Sequence, residues 1–364
     1  MKLTEVIKNT IIQNQAPIGF DEFMELALYY PQLGYYRSGS EKFGEKGDFI
    51  TAPETSDLFG FCLAKQCAQV LNGDNDILEF GAGSGVLAAQ VLFELGRLGC
   101  LPKKYYILEL SRELQHRQQQ TLAKALPELL ERVVWLDKLP EGFKGVVIAN
   151  EVLDAMPAKR VTQKEGAFRE LCVDMNKDQL SWTPSDTIFK NPKIKLPGNV
   201  DEGYTTEINP RAMAWVDSLY DALDEALVLL IDYGMHRDEY FHPQRLEGTL
   251  RCYYQHKASD NPFVHIGEQD ITTSVNFSDI ADQAKSSGFQ VAGYATQALF
   301  LIALGIDSYL LAEEDENRRI TLAQQIKQLV LPSAMGESFK ILALSKSTDV
   351  KLIGFKEQDL SHKL

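Results

Sequence analysis

Three glycines alternate with other residues directly after an apolar run, in the segment ILEFGAGSG. Gly81, Gly83 and Gly85 let the chain turn tightly and let a ligand approach the backbone, because glycine has no Cβ. A helix expected to begin near Val86 would add free backbone N–H groups at the same place. The spacing is GxGxG and Glu79 lies two residues before the first glycine, so we expect a ligand with a cationic amino acid end rather than a pyrophosphate. A glycine turn of purely structural use is the alternative.

Two further acids follow the next two apolar runs. Glu109, in YYILELS, lies 24 residues after the last glycine and could accept the protons of both ribose hydroxyls, as an acid at similar spacing does in dinucleotide folds. Asp137, in WLDKL, could reach the amino group of an adenine. A helix-capping neighbour or a solvated charge is the alternative for Glu109, and ordinary turn chemistry is the alternative for Asp137.

Polar side chains also end the fourth apolar run, in VVIANEVLDAMP. Asn150, Glu151 and Asp154 are expected at the carboxyl edge of a sheet, where active sites of α/β folds collect. Glu151 and Asp154 are three residues apart, so on a helical turn they would share one face. Two such carboxylates could hold a guanidinium or ammonium and orient or deprotonate it. Solvated surface carboxylates are the alternative.

The elements that must position these residues are short apolar runs alternating with longer helical stretches from about residue 76. This alternation predicts an α/β fold with a doubly wound, mostly parallel sheet. A helix is expected around residues 299–312, between the last two strands. The seven predicted strands cover residues 77–80, 105–110, 133–136, 146–149, 227–231, 289–295 and 339–345.

Other stretches do not follow this alternation. Residues 3–13 and 21–30 predict helices, and residues 34–53 are rich in glycine and charge, which is typical of an ordered loop or flap. Residues 158–205 and 235–275 are interpreted as insertions after strands four and five. We therefore expect an N-terminal helical segment with a flap (1–70), a core with both insertions (71–350) and a C-terminal tail (351–364).

Composition limits the possible partners. The net charge of −14, without a long Lys/Arg cluster, opposes a nucleic acid surface. The five cysteines are scattered and contain no CxxC pair, so neither a disulfide framework nor a metal site is expected. The first residues lack a signal-peptide core and no apolar run approaches the length of a membrane span, which predicts a cytoplasmic protein.

Taken together, these motifs resemble the MidA family of methyltransferases. The resemblance spans most of the chain and is far more specific than the glycine turn alone. It is carried by YYPQLGYY (29–36), GDFITAPETSDLFG (47–60), EFGAGSG (79–85), LELS (108–111), NEVLDAMP (150–157), IDYG (231–234), GTLRCYYQH (248–256) and DITTSVNFSDI (270–280).

The resemblance implies a Rossmann-like class I fold and S-adenosyl-L-methionine as cofactor. Mitochondrial members of the family are respiratory complex I assembly factors and protein arginine methyltransferases, so it also implies arginine in a protein as the acceptor, with a complex I subunit as the expected partner. The missing presequence favours a bacterial member, whereas eukaryotic members act in the mitochondrial matrix. Composition and spacing alone indicate only an α/β core that binds a small molecule.

Carried over position by position, the resemblance makes GDFIT a flap over the methionine end of the cofactor, and makes IDYG and GTLRCYYQH the lining of the acceptor cavity. Hydrogen-bonded packing is the alternative for its tyrosines and for His256. The residues expected to bind cofactor are Gly47, Asp48, Phe49, Thr51, Glu79, Gly81, Ala82, Gly83, Gly85, Glu109, Asp137, Asn150 and Glu151. Those expected to contact the acceptor are Tyr233, Tyr254 and His256, and the candidate catalytic acids are Glu151, Asp154 and Asp232.

The expected chemistry is an in-line displacement, for which the protein mainly aligns donor and acceptor and excludes water. A guanidinium acceptor stays protonated at neutral pH, so a carboxylate must orient it and relieve its charge. One alternative is a non-catalytic assembly chaperone that retains the core. Another is a nicotinamide-dependent oxidoreductase, which is disfavoured because Val86 occupies the position where GxGxxG requires glycine.

Overall fold

The structure is a computed structural model that describes residues 2–37 and 51–364. Its helices are α1 (Leu3–Asn14), α2 (Phe20–Tyr29), α3 (Ala52–Thr55), α4 (Asp57–Ala68), α5 (Val86–Leu98), α6 (Arg112–Ala125), α7 (Pro210–Ala222), α8 (Arg237–Tyr240), α9 (Phe277–Ser287), α10 (Gln297–Ala303), α11 (Ile306–Ala312) and α12 (Glu316–Val330). Its strands are β1 (Asp76–Phe80), β2 (Tyr105–Leu108), β3 (Val133–Leu136), β4 (Phe143–Asn150), β5 (Lys159–Lys164), β6 (Ala167–Asn176), β7 (Gln179–Ile188), β8 (Thr205–Ile208), β9 (Leu223–Met235), β10 (Arg251–Tyr254), β11 (Lys257–Ser259), β12 (Asp270–Thr272), β13 (Val275–Asn276), β14 (Gln290–Thr296) and β15 (Phe339–Lys346).

The chain forms two compact units, each assembled from three separate segments. The first unit contains Met1–Phe49, Leu153–Trp215 and Met235–Ile280. The second unit contains Ile50–Val152, Val216–Gly234 and Ala281–Leu364.

The second unit is built on a sheet in which seven strands pair in the order β14-β15-β9-β4-β1-β2-β3. Strand β1 is parallel to β2 and β4, and β4 is parallel to β9, whereas β15 is antiparallel to both of its neighbours. Chain order therefore reverses on either side of β1, which is the point where ligands bind in doubly wound folds.

The core of the second unit consists of apolar side chains from both the sheet and its helices. Ile77, Val146 and Leu229 from three neighbouring strands are essentially fully buried. From the helices, Leu92 and Phe59 join the same cluster. Strands covered on both faces read as continuous apolar runs, which is why the sequence pattern located them.

The first unit has antiparallel sheets, against which the helices α1 and α2 pack. Its four-stranded sheet runs β7-β6-β5-β8, and a smaller sheet runs β11-β10-β12. Ile7 of α1 and Phe23 of α2 belong to one buried cluster with Val173 of β6. The apolar face of each helix is thus buried within this unit.

All seven predicted core strands are present, and the predicted Rossmann-like fold is confirmed. Their bounds differ: the predicted strand 105–110 ends at Leu108, and the predicted strand 227–231 extends over the thirteen residues of β9. No strands were expected in residues 158–205, although β5, β6 and β7 lie there. In the described part of the chain, no helix is long and apolar enough to span a membrane.

Candidate active site

The glycine turn lies between β1 and α5, as predicted. Gly81, Gly83 and Gly85 have φ angles of +58°, +53° and +84°, in the left-handed region that disfavours other residues. The turn is closed by the Gly85 N–H donating to Ala82 O (2.8 Å), and the Gly81 N–H donates to Leu108 O (3.0 Å) on the neighbouring strand. Glycine is therefore needed here for backbone conformation, which leaves N–H groups at the start of α5 for a ligand.

Sheet register brings the predicted polar residues to one edge. Phe80 of β1 pairs with Leu108 of β2 and Ala149 of β4, and Asn150 of β4 pairs with Ile231 of β9. Gly81, Glu109, Asn150 and Asp232 each directly follow one of these paired residues. They consequently share the carboxyl edge of the sheet, within the second unit.

Glu79 lies inside the sheet just before this edge. Its side chain is 2% exposed and accepts a hydrogen bond from the Tyr105 hydroxyl (2.7 Å). The pKa of Glu79 is raised to about 7: burial is the main cause, the hydrogen bond from Tyr105 lowers the pKa, and the negative charge of Glu109 adds a smaller rise. At neutral pH this acid is therefore substantially protonated, which lowers the negative charge beneath the glycine turn.

Glu109 is held by donors on both carboxylate oxygens. Its Oε1 accepts the Ser111 N–H (2.8 Å), and its Oε2 accepts from Gln118 Nε2 (3.1 Å). The side chain is buried, at 7% exposure. Such a carboxylate is fixed in direction, as the recognition of a ribose requires.

Two acids lie on neighbouring strands at this edge: Glu151 directly follows β4, and Asp232 lies within β9. Glu151 follows Asn150 with a φ of +54°, and its N–H donates to Ile231 O (2.8 Å). Asp232 is 1% exposed, and it accepts the N–H groups of Val152 (3.2 Å) and Tyr233 (2.8 Å). A non-glycine residue in the left-handed region costs about 1–2 kcal/mol, and such strain is concentrated at functional sites.

One side-chain atom of Asn150 is buried without a hydrogen-bond partner among the described residues. Its Nδ2 donates to Glu151 Oε1 (3.2 Å), whereas its buried Oδ1 has no partner among the described residues. An unpaired buried acceptor is costly, and a ligand that donates an N–H or O–H would remove this cost.

The expectation that Glu151 and Asp154 share a helical face is wrong. The described chain forms no helix between β4 and β5, and the left-handed Glu151 breaks any helical path at its first residue. Asp154 belongs to the first unit, where its main-chain oxygen accepts the Thr273 N–H (3.0 Å). Its predicted catalytic role remains a prediction.

The residues predicted to contact the acceptor lie in different settings. Tyr233 is 40% exposed near the end of β9. Tyr254 ends β10, and its ring stacks on that of His265 with centroids 4.0 Å apart. His256 is exposed in the two-residue turn between β10 and β11, where it and Gln255 both have positive φ, as a type I′ turn requires. Their role toward the acceptor remains a prediction.

The remaining predicted cofactor residues are Gly47, Asp48, Phe49, Thr51 and Asp137. Gly47, Asp48 and Phe49 fall outside the described residues. Thr51 directly precedes α3, and its main-chain oxygen accepts the Thr55 N–H (3.1 Å). Asp137 is exposed in a bend after β3.

Further residues contact the glycine turn and α5, and the sequence pattern did not indicate them. Glu54 of α3 accepts a hydrogen bond from the Ser84 hydroxyl in the glycine turn. Gln90 of α5 donates to Pro53 O and to Asp57 Oδ1, both at 2.9 Å. No residue spacing in the sequence predicts that the TAPETSD segment (residues 51–57) contacts the glycine turn. The segment is thus fastened to the turn and to α5.

A pocket of about 560 Å³ opens beside the start of α5. Its lining includes Glu54, Phe61, Val86, Tyr309 and Glu313, and none of the residues predicted from the sequence. It therefore marks the side of the turn that faces α3, α11 and α12.

The residues at the sheet edge fit S-adenosylmethionine. Its ribose hydroxyls and amino groups are hydrogen-bond donors, and the edge offers matching acceptors in the Glu109 carboxylate and the orphaned Asn150 Oδ1. The glycine turn leaves room for a ligand against the backbone. No group of His, Cys, Asp and Glu in the described chain could hold a metal ion.

Comparison with known proteins supports the same interpretation. Residues 62–295 match the sequence model of a family described as "Putative S-adenosyl-L-methionine-dependent methyltransferase". A zebrafish (Danio rerio) relative named "Protein arginine methyltransferase NDUFAF7, mitochondrial" is 28% identical over 396 residues, covering 94% of this chain and 90% of its own. The human (Homo sapiens) protein of that name is 27% identical over 376 residues, covering 92% and 81%.

Solved structures agree with the sequence comparison. A Burkholderia thailandensis protein crystallised with S-adenosyl-homocysteine is 38% identical, with a TM-score of 0.94 over 100% of this chain and 96% of that chain. A native crystal structure from the same organism, with 38% identity and the same coverage, gives a TM-score of 0.92. The family match covers more than half of the chain and confirms the predicted resemblance, the class of enzyme and the cofactor. The chain belongs to this family of S-adenosyl-L-methionine-dependent methyltransferases.

Proposed function

We propose that this chain transfers a methyl group to an arginine side chain of a protein substrate. The observation that carries the proposal is the pair of acids on adjacent strands, Glu151 after β4 and the buried Asp232 in β9. A guanidinium matches carboxylates in geometry and charge, so two acids at the cofactor edge suit it. The names of the zebrafish and human relatives support arginine as the acceptor.

Each acid has a distinct task in this proposal. When bound, S-adenosylmethionine supplies a methyl group activated by a sulfonium. Asp232, fixed by two main-chain N–H groups, orients the guanidinium and offsets its charge. Glu151 accepts the proton that the methylated nitrogen loses, and Asn150 Nδ2 donates a hydrogen bond to its Oε1. Asp154 is proposed as a further acid, and Tyr233, Tyr254 and His256 as acceptor contacts.

Residues of the second unit are proposed to hold the cofactor. Glu109 accepts the ribose hydroxyls, and Asn150 Oδ1 accepts from an amino group of the ligand. The glycine turn allows close approach, and Asp137 is proposed near the adenine. The protein substrate is proposed to be a respiratory complex I subunit, as the MidA resemblance implies, and the cytoplasmic location remains a prediction.

Methyl transfer to a lysate tests this proposal directly. Labelled S-adenosylmethionine and the purified protein are added to a lysate of a strain lacking the gene, and the labelled residue is identified by mass spectrometry. We expect methylarginine in a protein. Label on another residue type contradicts the arginine acceptor, and no labelling at all favours the non-catalytic chaperone.

Matched variants test the acids. We expect Asp232→Asn to lower turnover by roughly 10²-fold or more while S-adenosyl-homocysteine affinity changes little. Asp224→Asn, in the same strand but exposed at its opposite end, should retain wild-type turnover. Equal turnover of the two variants would remove Asp232 from the chemistry, and unchanged turnover of Asp154→Asn would remove Asp154.

A further inference from the structure

A buried glutamine bonds to three residues near the carboxyl edge of the core sheet. Gln118 of α6 is 0% exposed. Its Nε2 donates to Glu109 Oε2 (3.1 Å) and to Gly83 O (3.2 Å), and its Oε1 accepts from Trp135 Nε1 (3.0 Å). One side chain thus bonds to the acid after β2, to the glycine turn and to β3.

These bonds allow only one orientation of the amide. Both acceptors, on Glu109 and Gly83, require the NH₂ group, while the indole N–H of Trp135 requires the carbonyl oxygen. A flipped amide would place its oxygen against two other acceptors and its NH₂ against a donor. The direction of the Glu109 carboxylate is therefore set by a group whose own direction is fixed.

The glycine turn also packs on the backbone of α6 at this residue. A Cβ added to Gly85 would lie 3.0 Å from Gln118 Cα and 3.3 Å from Gln118 Cβ. The glycine turn and the Glu109 carboxylate therefore both contact Gln118.

A second glutamine on α6 provides a natural comparison. Gln115, three residues earlier and hence near the same face, donates to the main-chain oxygen of Glu109 (2.8 Å). It contacts the same residue without touching its carboxylate. A comparison of the two glutamines therefore distinguishes a hydrogen bond to the Glu109 backbone from one to its carboxylate.

We infer that Gln118 is the positioning residue for the ribose acid: it aims the Glu109 carboxylate at the ribose hydroxyls. The inference rests on the proposed role of Glu109. Gln118 acts through Glu109 and does not take part in methyl transfer, so its loss should weaken recognition of the ribose specifically.

Two ligands distinguish this role from general support of the fold. Affinities are measured by calorimetry for S-adenosyl-homocysteine and for its analogue lacking both ribose hydroxyls. We expect Gln118→Met to weaken the binding of S-adenosyl-homocysteine roughly tenfold or more, and the binding of the analogue less than about threefold. Gln115→Met should leave both affinities within about twofold. Equal losses for the two ligands, or no loss, would overturn the inference.

Further variants keep the outcomes separate. Gln118→Asn keeps the amide but shortens the side chain, and it should show the same selective loss; it replaces Gln118→Met if near-ultraviolet circular dichroism shows that the methionine variant is unfolded. Glu109→Gln should also lose affinity only for the ligand with hydroxyls. If Glu109→Gln binds both ligands like wild type, the ribose role of Glu109 is wrong. If it is selective and the Gln118 variants are not, only the positioning role is wrong.

Discussion

Replacing Gly85 by alanine tests how closely the glycine turn packs on α6. Gly85 has a φ of +84°, and an added Cβ would lie 3.0 Å from Gln118 Cα and 3.3 Å from Gln118 O. These neighbours are backbone atoms, so no flexible side chain can move away. Two costs therefore combine in this single substitution.

Their magnitudes can be worked separately. A left-handed non-glycine residue costs about 1–2 kcal/mol, and overpacking of a well-filled site costs about 1–3 kcal/mol. We expect Gly85→Ala to lower the free energy of unfolding by about 2–5 kcal/mol, measured by urea denaturation. Such a loss is a large share of the stability of a typical domain. Affinity for S-adenosyl-homocysteine should fall as well, because the turn must shift away from Gln118.

Gly99, at the other end of the same helix, is the matched control. Its φ is +69°, and an added Cβ would meet nothing within 4 Å. Gly99→Ala should therefore cost only the conformational part, about 1–2 kcal/mol, and leave binding unchanged. If the two variants lose equal stability, the close approach at Gly85 contributes nothing, and this reasoning is refuted.

Buried side chains elsewhere in the chain give three further predictions. Because the pKa of Glu79 is raised from 4.5 to about 7, the folded state binds this proton more tightly than the unfolded state does. The stability of the wild type relative to Glu79→Gln should therefore fall by at most about 3 kcal/mol as the pH rises from 4.5 to 7, measured by denaturation at each pH. Parallel pH profiles of the two proteins would contradict this. Arg160→Leu leaves the 1%-exposed Glu207 without its ion-pair partner at 2.9 Å and should cost about 3–5 kcal/mol by urea denaturation, whereas Arg169→Leu, which breaks a pair with an exposed acid, should cost far less. Since burial raises the pKa of the Cys67 thiol to about 12, iodoacetamide at pH 8 should modify the partly exposed Cys100 first; mass spectrometry showing the reverse order would contradict it.

The core sheet could be predicted because its strands are buried on both faces. Runs such as those around Val146 and Leu229 are continuously apolar, and their lengths separate them from helices. The strands of the first unit lack this signal. β7, for example, contains Pro184 and has no fully buried residue, so its pattern does not differ from that of a loop.

The site was predictable only where its residues follow strands. Gly81, Glu109 and Asn150 each follow a recognisable apolar run, and parallel strands end at one edge. Gln118 was missed because it lies in the middle of a polar helix, RELQHRQQQTLAKA, where nothing in the spacing distinguishes it from its neighbouring glutamines. Its contacts with Gly83 and Trp135 come from tertiary packing, which sequence periodicity does not encode.

The strand order also has a consequence for synthesis on the ribosome. β4 ends at Asn150, but its partner β9 begins only at Leu223, so 72 residues must be translated before that edge of β4 can pair. An apolar, unpaired strand edge invites association with other nascent chains. Chains truncated before residue 223 should therefore aggregate or recruit chaperones, whereas slow codons placed after β9 should have little effect on the yield of native protein.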